Sequence, residues 1–364
     1  MNLFRLCIII LAIWSTTASA QVQTEISSFV HSIKIKNTTD TTRVSQWVTP
    51  LKVQLPFLHG QVGIQSAFMT AHQTGTPNEL AWGALDTQIN GRWQIGQRVL
   101  LSLHTSLPTG KRSLNAADAQ VIGTLARNDL NFPVRAFGQG FDLGGTLSVA
   151  KHQGHWSLSA GIRAIHKGGY TPTAGSANYK PGDEITSMIG VDYSYNNWIF
   201  QLNTAGTFYK VDRQNGAIAF RNGKQILLHA GIFYWGHIIN LKAELIEIAR
   251  LKNRNVANNG YLLSEARDSN GNDLRARIEA SLTPVRSFTL FAQGSAKYLT
   301  ANAHPPGTAF YQGDAHLFEG GGGFSLSIGQ TQLALRATYL TGKTSDNTAK
   351  LSAFNIRTAL TFGL

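Results

Sequence analysis

Cysteine is nearly absent from this chain of 364 residues. The only one, Cys7, lies among the first twenty. The remainder therefore has no disulfide, no thiol nucleophile and no cysteine-bearing metal site. Charge is also scarce: Asp, Glu, Lys and Arg make up 14% of the chain, against about 25% in soluble domains. Acids are the scarcer sign, 20 against 32 basic residues. After residue 20 no apolar run approaches the roughly 18 residues that a spanning helix needs. Few prolines and little charge argue against a disordered chain.

The first segment that is present is a leader. Arg5 supplies a positive start, Leu6 to Trp14 is apolar, and Ala18-Ser19-Ala20 offers small residues for cleavage. Residues 1–20 are expected to be a secretory signal peptide, since the apolar run is about half the length of a spanning helix. Cys7 lacks the preceding small residue of a lipoprotein signal. The exported chain is expected to be one unit, 21–364. The formal net charge of +12 becomes +11 once Arg5 is set aside.

What fills that unit is alternation with a period of two. In "HLFEGGGGFSLSIGQTQLALRATYL", 316–340, Phe318, Phe324, Leu326 and Ile328 share one phase. After Gly329-Gln330 the pattern resumes on Leu333, Leu335, Ala337 and Tyr339. Such alternation marks strands joined by a tight turn. About sixteen segments follow it, near 26–36, 44–55, 60–72, 81–94, 97–107, 140–152, 155–167 and 184–196, then 198–209, 225–235, 238–252, 273–284, 287–299, 316–328, 331–342 and 351–364. From the fourth onward, short turns alternate with long polar connections, at 108–139, 168–183, 210–224, 253–272, 300–315 and 343–350. That asymmetry predicts an all-β fold: a transmembrane antiparallel up-and-down β-barrel of about 16 strands, with 12–14 as the lower count, short periplasmic turns and long external loops. A soluble sandwich would carry more charge on its wet face and shorter strands. The glycine run Gly320–Gly323 weakens a strand unless the ladder closes on both sides. Both chain ends are expected on the periplasmic side.

Two stretches carry resemblances. "LSAFNIRTALTFGL", 351–364, resembles the terminal signal of Gram-negative outer-membrane proteins that the barrel-assembly machinery reads. Leu364 stands where an aromatic residue is usual. "HTSLPTGKRSLN", 104–115, with "FGQGFDLGGTLSVAKHQGHWSLSAGI", 137–162, resembles outer-membrane channels assigned to the phenol meta-degradation pathway. That resemblance implies a passive channel, for small hydrophobic or aromatic compounds.

If the apolar phase faces lipid, the polar phase faces a lumen. The pore-lining candidates are Arg92, Arg98, Arg163, Lys242, Arg275, Arg277, Glu279 and Arg336. Such charges either screen solutes or brace the wall as ion-pair ladders. Loop 108–139 is the longest connection and carries Lys111, Arg112, Asp118, Arg127, Asp129 and Arg135. It either folds inward as a constriction or lies outside on lipopolysaccharide phosphates. His104 and Ser106 stand two apart on one strand face, as in the outer-membrane phospholipase dyad, but on the polar phase. No catalytic set, metal constellation or cofactor motif is expected, and no basic–aromatic patch for nucleic acid. The expected function is an outer-membrane channel for passive diffusion, with weak anion preference or a taste for small hydrophobic compounds. The alternative is a non-conducting barrel with a structural, assembly or surface-docking role. The expected partners are outer-membrane lipid, lipopolysaccharide, the assembly machinery and small solutes.

Overall fold

A strand in lipid must pair every backbone group, so a sheet there has to close on itself. This one does. The computed structural model describes residues 22–363 except 38–39, 59, 76–77 and 345–347. The expected signal peptide, 1–20, and the last residue, Leu364, lie outside the described residues. The strands are β1 Gln23–Lys36, β2 Thr41–Phe57, β3 Gly60–Thr74, β4 Glu79–Ala84 continued by Thr87–Ile95, β5 Val99–Leu107, β6 Asp142–Gln153, β7 Trp156–Lys167 and β8 Glu184–Tyr195. They continue as β9 Trp198–Tyr209, β10 Gln225–Trp235, β11 Ile239–Arg250, β12 Asp273–Val285, β13 Phe288–Leu299, β14 Ala315–Ile328, β15 Thr331–Thr344 and β16 Ala349–Gly363. Each pairs antiparallel with its sequence neighbours, and β1 pairs with β16 over its whole length, from Gln23–Gly363 to Lys36–Lys350. The result is a closed sixteen-stranded up-and-down barrel. Among the described residues no helix is long and apolar enough to cross a membrane.

The two ends differ as the sequence predicts. At one end, turns such as Gly154-His155 and Asn196-Asn197 join strands, with Gly96, Gly154, Asn196 and Gly329 at positive φ as tight turns demand. At the other, three long connections contribute short strands to a five-stranded antiparallel crown: Tyr179–Lys180, Asp212–Gln214, Ala217–Arg221, Arg254–Val256 and Leu262–Ser264.

Exposed apolar side chains cover the exterior, among them Phe68, Leu147, Ile162, Ile189, Leu202, Ile232, Ile278 and Phe354. Near the short-turn end Trp156 packs on Tyr193 at 4.7 Å and Trp198 on Tyr234 at 4.9 Å. Aromatic rings at that level suit a bilayer interface. The glycine run is paired on both sides, with Phe291–Gly294 of β13 and Arg336–Tyr339 of β15. A Cβ on Gly321, Gly322 or Gly323 would fall 2.6 Å or less from a neighbouring carbonyl oxygen. Side chains are excluded there because three strands approach closely.

The interior departs from simple alternation along one wall. Ile33, Val44, Val48, Met69, Ala71, Leu317, Leu340, Leu351 and Ala353 point inward and are fully buried. They form one cluster with Val121, Leu125, Leu130, Phe132 and Phe137 of loop 108–139. The loop folds into the barrel, and β1–β4 with β14–β16 present it an apolar inner face.

Candidate functional site

Loop 108–139 enters through a break in β4. Leu85 and Asp86 interrupt the strand, and the inward phase shifts from Ala81 and Gly83 to Gln88, Asn90 and Arg92. Asp86 then clamps both stems of the loop, accepting from Gly110 N–H at 2.9 Å and Gln139 N–H at 2.7 Å. Gly110 approaches so closely that a Cβ would sit 2.8 Å from the Asp86 nitrogen. The loop's helix, α1 Ala116–Leu125, begins with a capping box in which Asn115 and Asp118 bond reciprocally.

Beyond the helix, the chain is tied to several walls. Thr124 donates to Gln73 Oε1 of β3 at 2.8 Å, and Gln46 of β2 donates to the Val134 carbonyl at 2.6 Å. Lys297 of β13 donates to the Asn128 carbonyl at 2.6 Å, and Thr344 of β15 donates to Asp129. Segment 131–137 separates two cavities. One, of about 560 Å³, is lined by Arg275, Arg277, Lys297, Glu319, Arg336 and Arg357. The other, of about 460 Å³, lies against Gln88, His104, Arg135, Asp142 and Lys167.

The candidate residues fall into three groups. Arg275, Arg277, Glu279, Arg336 and Lys242 share the inner wall of β11–β15. Arg275 pairs with Asp273 at 2.6 Å, Arg277 with Glu279 at 2.7 Å, and Lys242 with Glu244 at 2.9 Å. Arg336 lies 3.7 Å from Glu279 and stacks over Phe291 at 4.3 Å, in the space that Gly323 leaves open. Arg357 is its direct cross-strand neighbour and lies 3.8 Å from Glu25. The second group stands on the opposite wall: Arg163 between Thr146 and Thr186, and Arg92 between Gln61 and Ser102. Neither has an ion pair among the described residues.

The third group comprises Arg98, expected on the lining, and the residues of loop 108–139. Arg98 lies in the turn between β4 and β5, at the rim and off the strand wall. Asp118 is 2% exposed and bound to Lys111 at 2.7 Å, and Lys111 also donates to the Trp82 carbonyl of β4 at 3.3 Å, so the pair fastens the loop. Arg112 donates to the Pro108 carbonyl at the loop's stem. Arg127 and Asp129 pair at 2.5 Å beside the outer vestibule. Burial raises the Asp129 pKa, but the Arg127 bond and charge and the Thr344 hydroxyl outweigh it and hold the carboxyl below its ordinary value. Arg135 borders the second cavity, but its guanidinium turns back to the Asn128 side chain at 3.2 Å and the Phe132 carbonyl at 3.4 Å. Burial, then the neighbouring Arg275 and Arg250, pushes its pKa down.

Nothing in the sequence showed that Asp86 clamps the loop or that Lys297, 7% exposed, reaches it, and Asn90 was missed altogether. Asn90 Oδ1 lies 2.6 Å from His104 Nδ1 on the lumen side. No described hydrogen bond joins His104 to Ser106, and both face away from lipid. The Asp86 clamp gives a direct expectation. Asp86→Ala removes two hydrogen bonds to a charged acceptor, each worth about 1.5–3 kcal/mol. Current noise in single-channel records should rise and the unfolding temperature in detergent should fall. A variant with wild-type noise would show that the loop does not depend on this clamp.

No protein-family model matches the chain, and no curated protein matches it. Solved structures with a similar course of strands include a variant of OccD1 (OprD), at 7% identity and TM-score 0.45, covering 95% of this chain and 96% of that one. A loop-deletion mutant of OmpT, an outer membrane protein of Vibrio cholerae, matches at 7% identity and TM-score 0.43, over 94% and 99%. An anion-selective porin from Comamonas acidovorans matches at 10% and 0.40, over 95% and 99%. At TM-scores below 0.5 these likenesses carry no weight for the lumen, whose chemistry is that of this chain's own side chains.

Proposed function

We propose that the protein is an outer-membrane channel that passes small hydrophilic solutes by diffusion, with a weak preference for anions. One observation carries the reading. A loop crosses a sixteen-stranded barrel, wide enough for an aqueous channel, and charged cavities remain on both sides of it. Arg277, Arg336 and Arg357 line one of them, and Lys167, paired with Asp142 at 3.0 Å, lines the other. Their partners neutralise much of the charge, so the preference is weak; Arg163 and Arg92 add cations without a described partner. Small hydrophobic or aromatic solutes, the class implied by the phenol-pathway resemblance, suit this charged lining less well.

The ties between loop and wall favour a second reading, a closed barrel with a structural role. Planar-bilayer recording separates the two. The refolded protein should conduct, and in asymmetric salt its reversal potential should lean toward anions. Arg336→Gln with Arg357→Gln should move it toward cations. A silent bilayer with a fully folded barrel would favour the structural role.

A further inference from the structure

The sequence "HSIKIK", 31–36, alternates apolar and cationic residues, and its apolar phase faces inward. Ile33 and Ile35 are buried against the lumen loop, so Lys34 and Lys36 project from the barrel's exterior. They have company. On the outward phase of neighbouring strands stand Arg43, Lys343 and Lys350, all exposed. Lys343 is the direct partner of Lys350, and Lys350 of Lys36. One row below, Lys34 is the partner of Arg43. Like charges opposite one another in a sheet repel. No described carboxylate pairs with any of the five. The nearby Asp40 accepts from the Thr41 backbone N–H.

The exterior of this wall is graded. Its uppermost large apolar side chains are Tyr339, Phe354 and Trp47. Hydroxyls lie next to and beyond them, with Ser32 and Ser45 bonded at 2.8 Å and Ser352 and Thr341 alongside. The cations come last, two and four residues past the row that holds Ser32 and Phe354. That is about 7 and 13 Å along the strand at 3.3 Å per residue.

We propose that Lys34, Lys36, Arg43, Lys343 and Lys350 form an external seat for the phosphates of lipopolysaccharide. The proposal rests on the reading of this barrel as an outer-membrane protein. Acyl chains pack on the aromatic side chains, the sugar backbone meets the hydroxyls, and the phosphates lie among the five cations, relieving their repulsion. Loop 108–139, one candidate for this contact in the sequence, is inside the barrel and does not serve it.

The test uses the refolded full-length barrel in non-ionic detergent, with purified lipopolysaccharide, the same lipid after enzymatic dephosphorylation, and phosphatidylglycerol as probes. Native mass spectrometry and a salt series read the binding. Lipopolysaccharide should bind and be weakened by salt. The dephosphorylated form and the Lys34→Ser, Arg43→Ser, Lys343→Ser, Lys350→Ser variant should each lose at least about tenfold in affinity, because each cation near a phosphate surface is worth about 1 kcal/mol. Lys151→Ser, on the outward phase at the short-turn end, should change nothing. If the fourfold variant does not refold, the Lys343→Ser, Lys350→Ser pair replaces it, with Lys343→Arg, Lys350→Arg expected to retain binding. Equal affinity for the dephosphorylated lipid, equal affinity of the neutralised barrel, or an equal response to phosphatidylglycerol overturns the proposal. Bilayer conductance of the same samples reports on the channel separately, so loss of one result leaves the other standing.

Discussion

Deleting Asn115 to Asn128 should raise single-channel conductance severalfold and lower the unfolding temperature of the barrel in detergent. The first effect follows from position. The deletion removes α1, with its Thr124 tie to Gln73, and the Asn128 tie to Lys297 on the far wall, so segment 131–137 loses the anchors that hold it across the lumen. The second follows from packing. Val121 and Leu125 are wholly buried against the apolar inner wall of the barrel. Each large apolar side chain returned to water costs about 1.5–3 kcal/mol. The barrel should still close, since the ladder from β1 to β16 does not involve the loop. An unchanged current through the shortened protein would sink the constriction role. An unchanged unfolding temperature would instead show that the inner apolar wall contributes little.

Ile278→Arg is expected to cost about 2–4 kcal/mol, as a cation near the bilayer midplane does. Ile278 stands mid-strand in β12, 63% exposed on the exterior, and lies over Gly294 of β13. Its neighbour Arg277 points the other way and pairs with Glu279. Arg277→Gln should fold almost as wild type, because Glu279 keeps Arg336 within 3.7 Å. It should change ion preference instead. Urea titration of the refolded variants in lipid vesicles measures the first effect and reversal potentials the second. Equal damage from both changes would mean that the two faces of β12 have been exchanged.

The strand count and nearly every strand boundary were legible in the sequence. So was the inward placement of Arg163, Lys242, Arg275, Arg277 and Arg336. The reason is local: a strand between lipid and water has one apolar face, and side chains alternate with a period of two. The first two strands were the least legible, for a physical reason. In β1 and β2 the inner face is apolar as well, so Ile33, Ile35, Val44 and Val48 carry no lipid signal, and a rule that sends apolar residues outward reverses the lysines of "HSIKIK". Loop 108–139 explains that inversion, but only through contacts made across the lumen.

The sequence by itself determined the closed antiparallel barrel, its strand number and the asymmetry of its two ends, because period, turn residues and connection lengths are properties of adjacent residues. It also marked loop 108–139 by length alone. Only the tertiary structure decided that this loop turns inward, that Asp86 holds its stems, and that Asp118 and Lys111 serve the loop. It likewise decided that five cations from four strands meet on the outside. Those facts depend on which side chains meet across a closed wall or inside it, 215 residues apart in the chain for Asp129 and Thr344 and farther still for Lys36 and Lys350, and no local pattern records such a meeting.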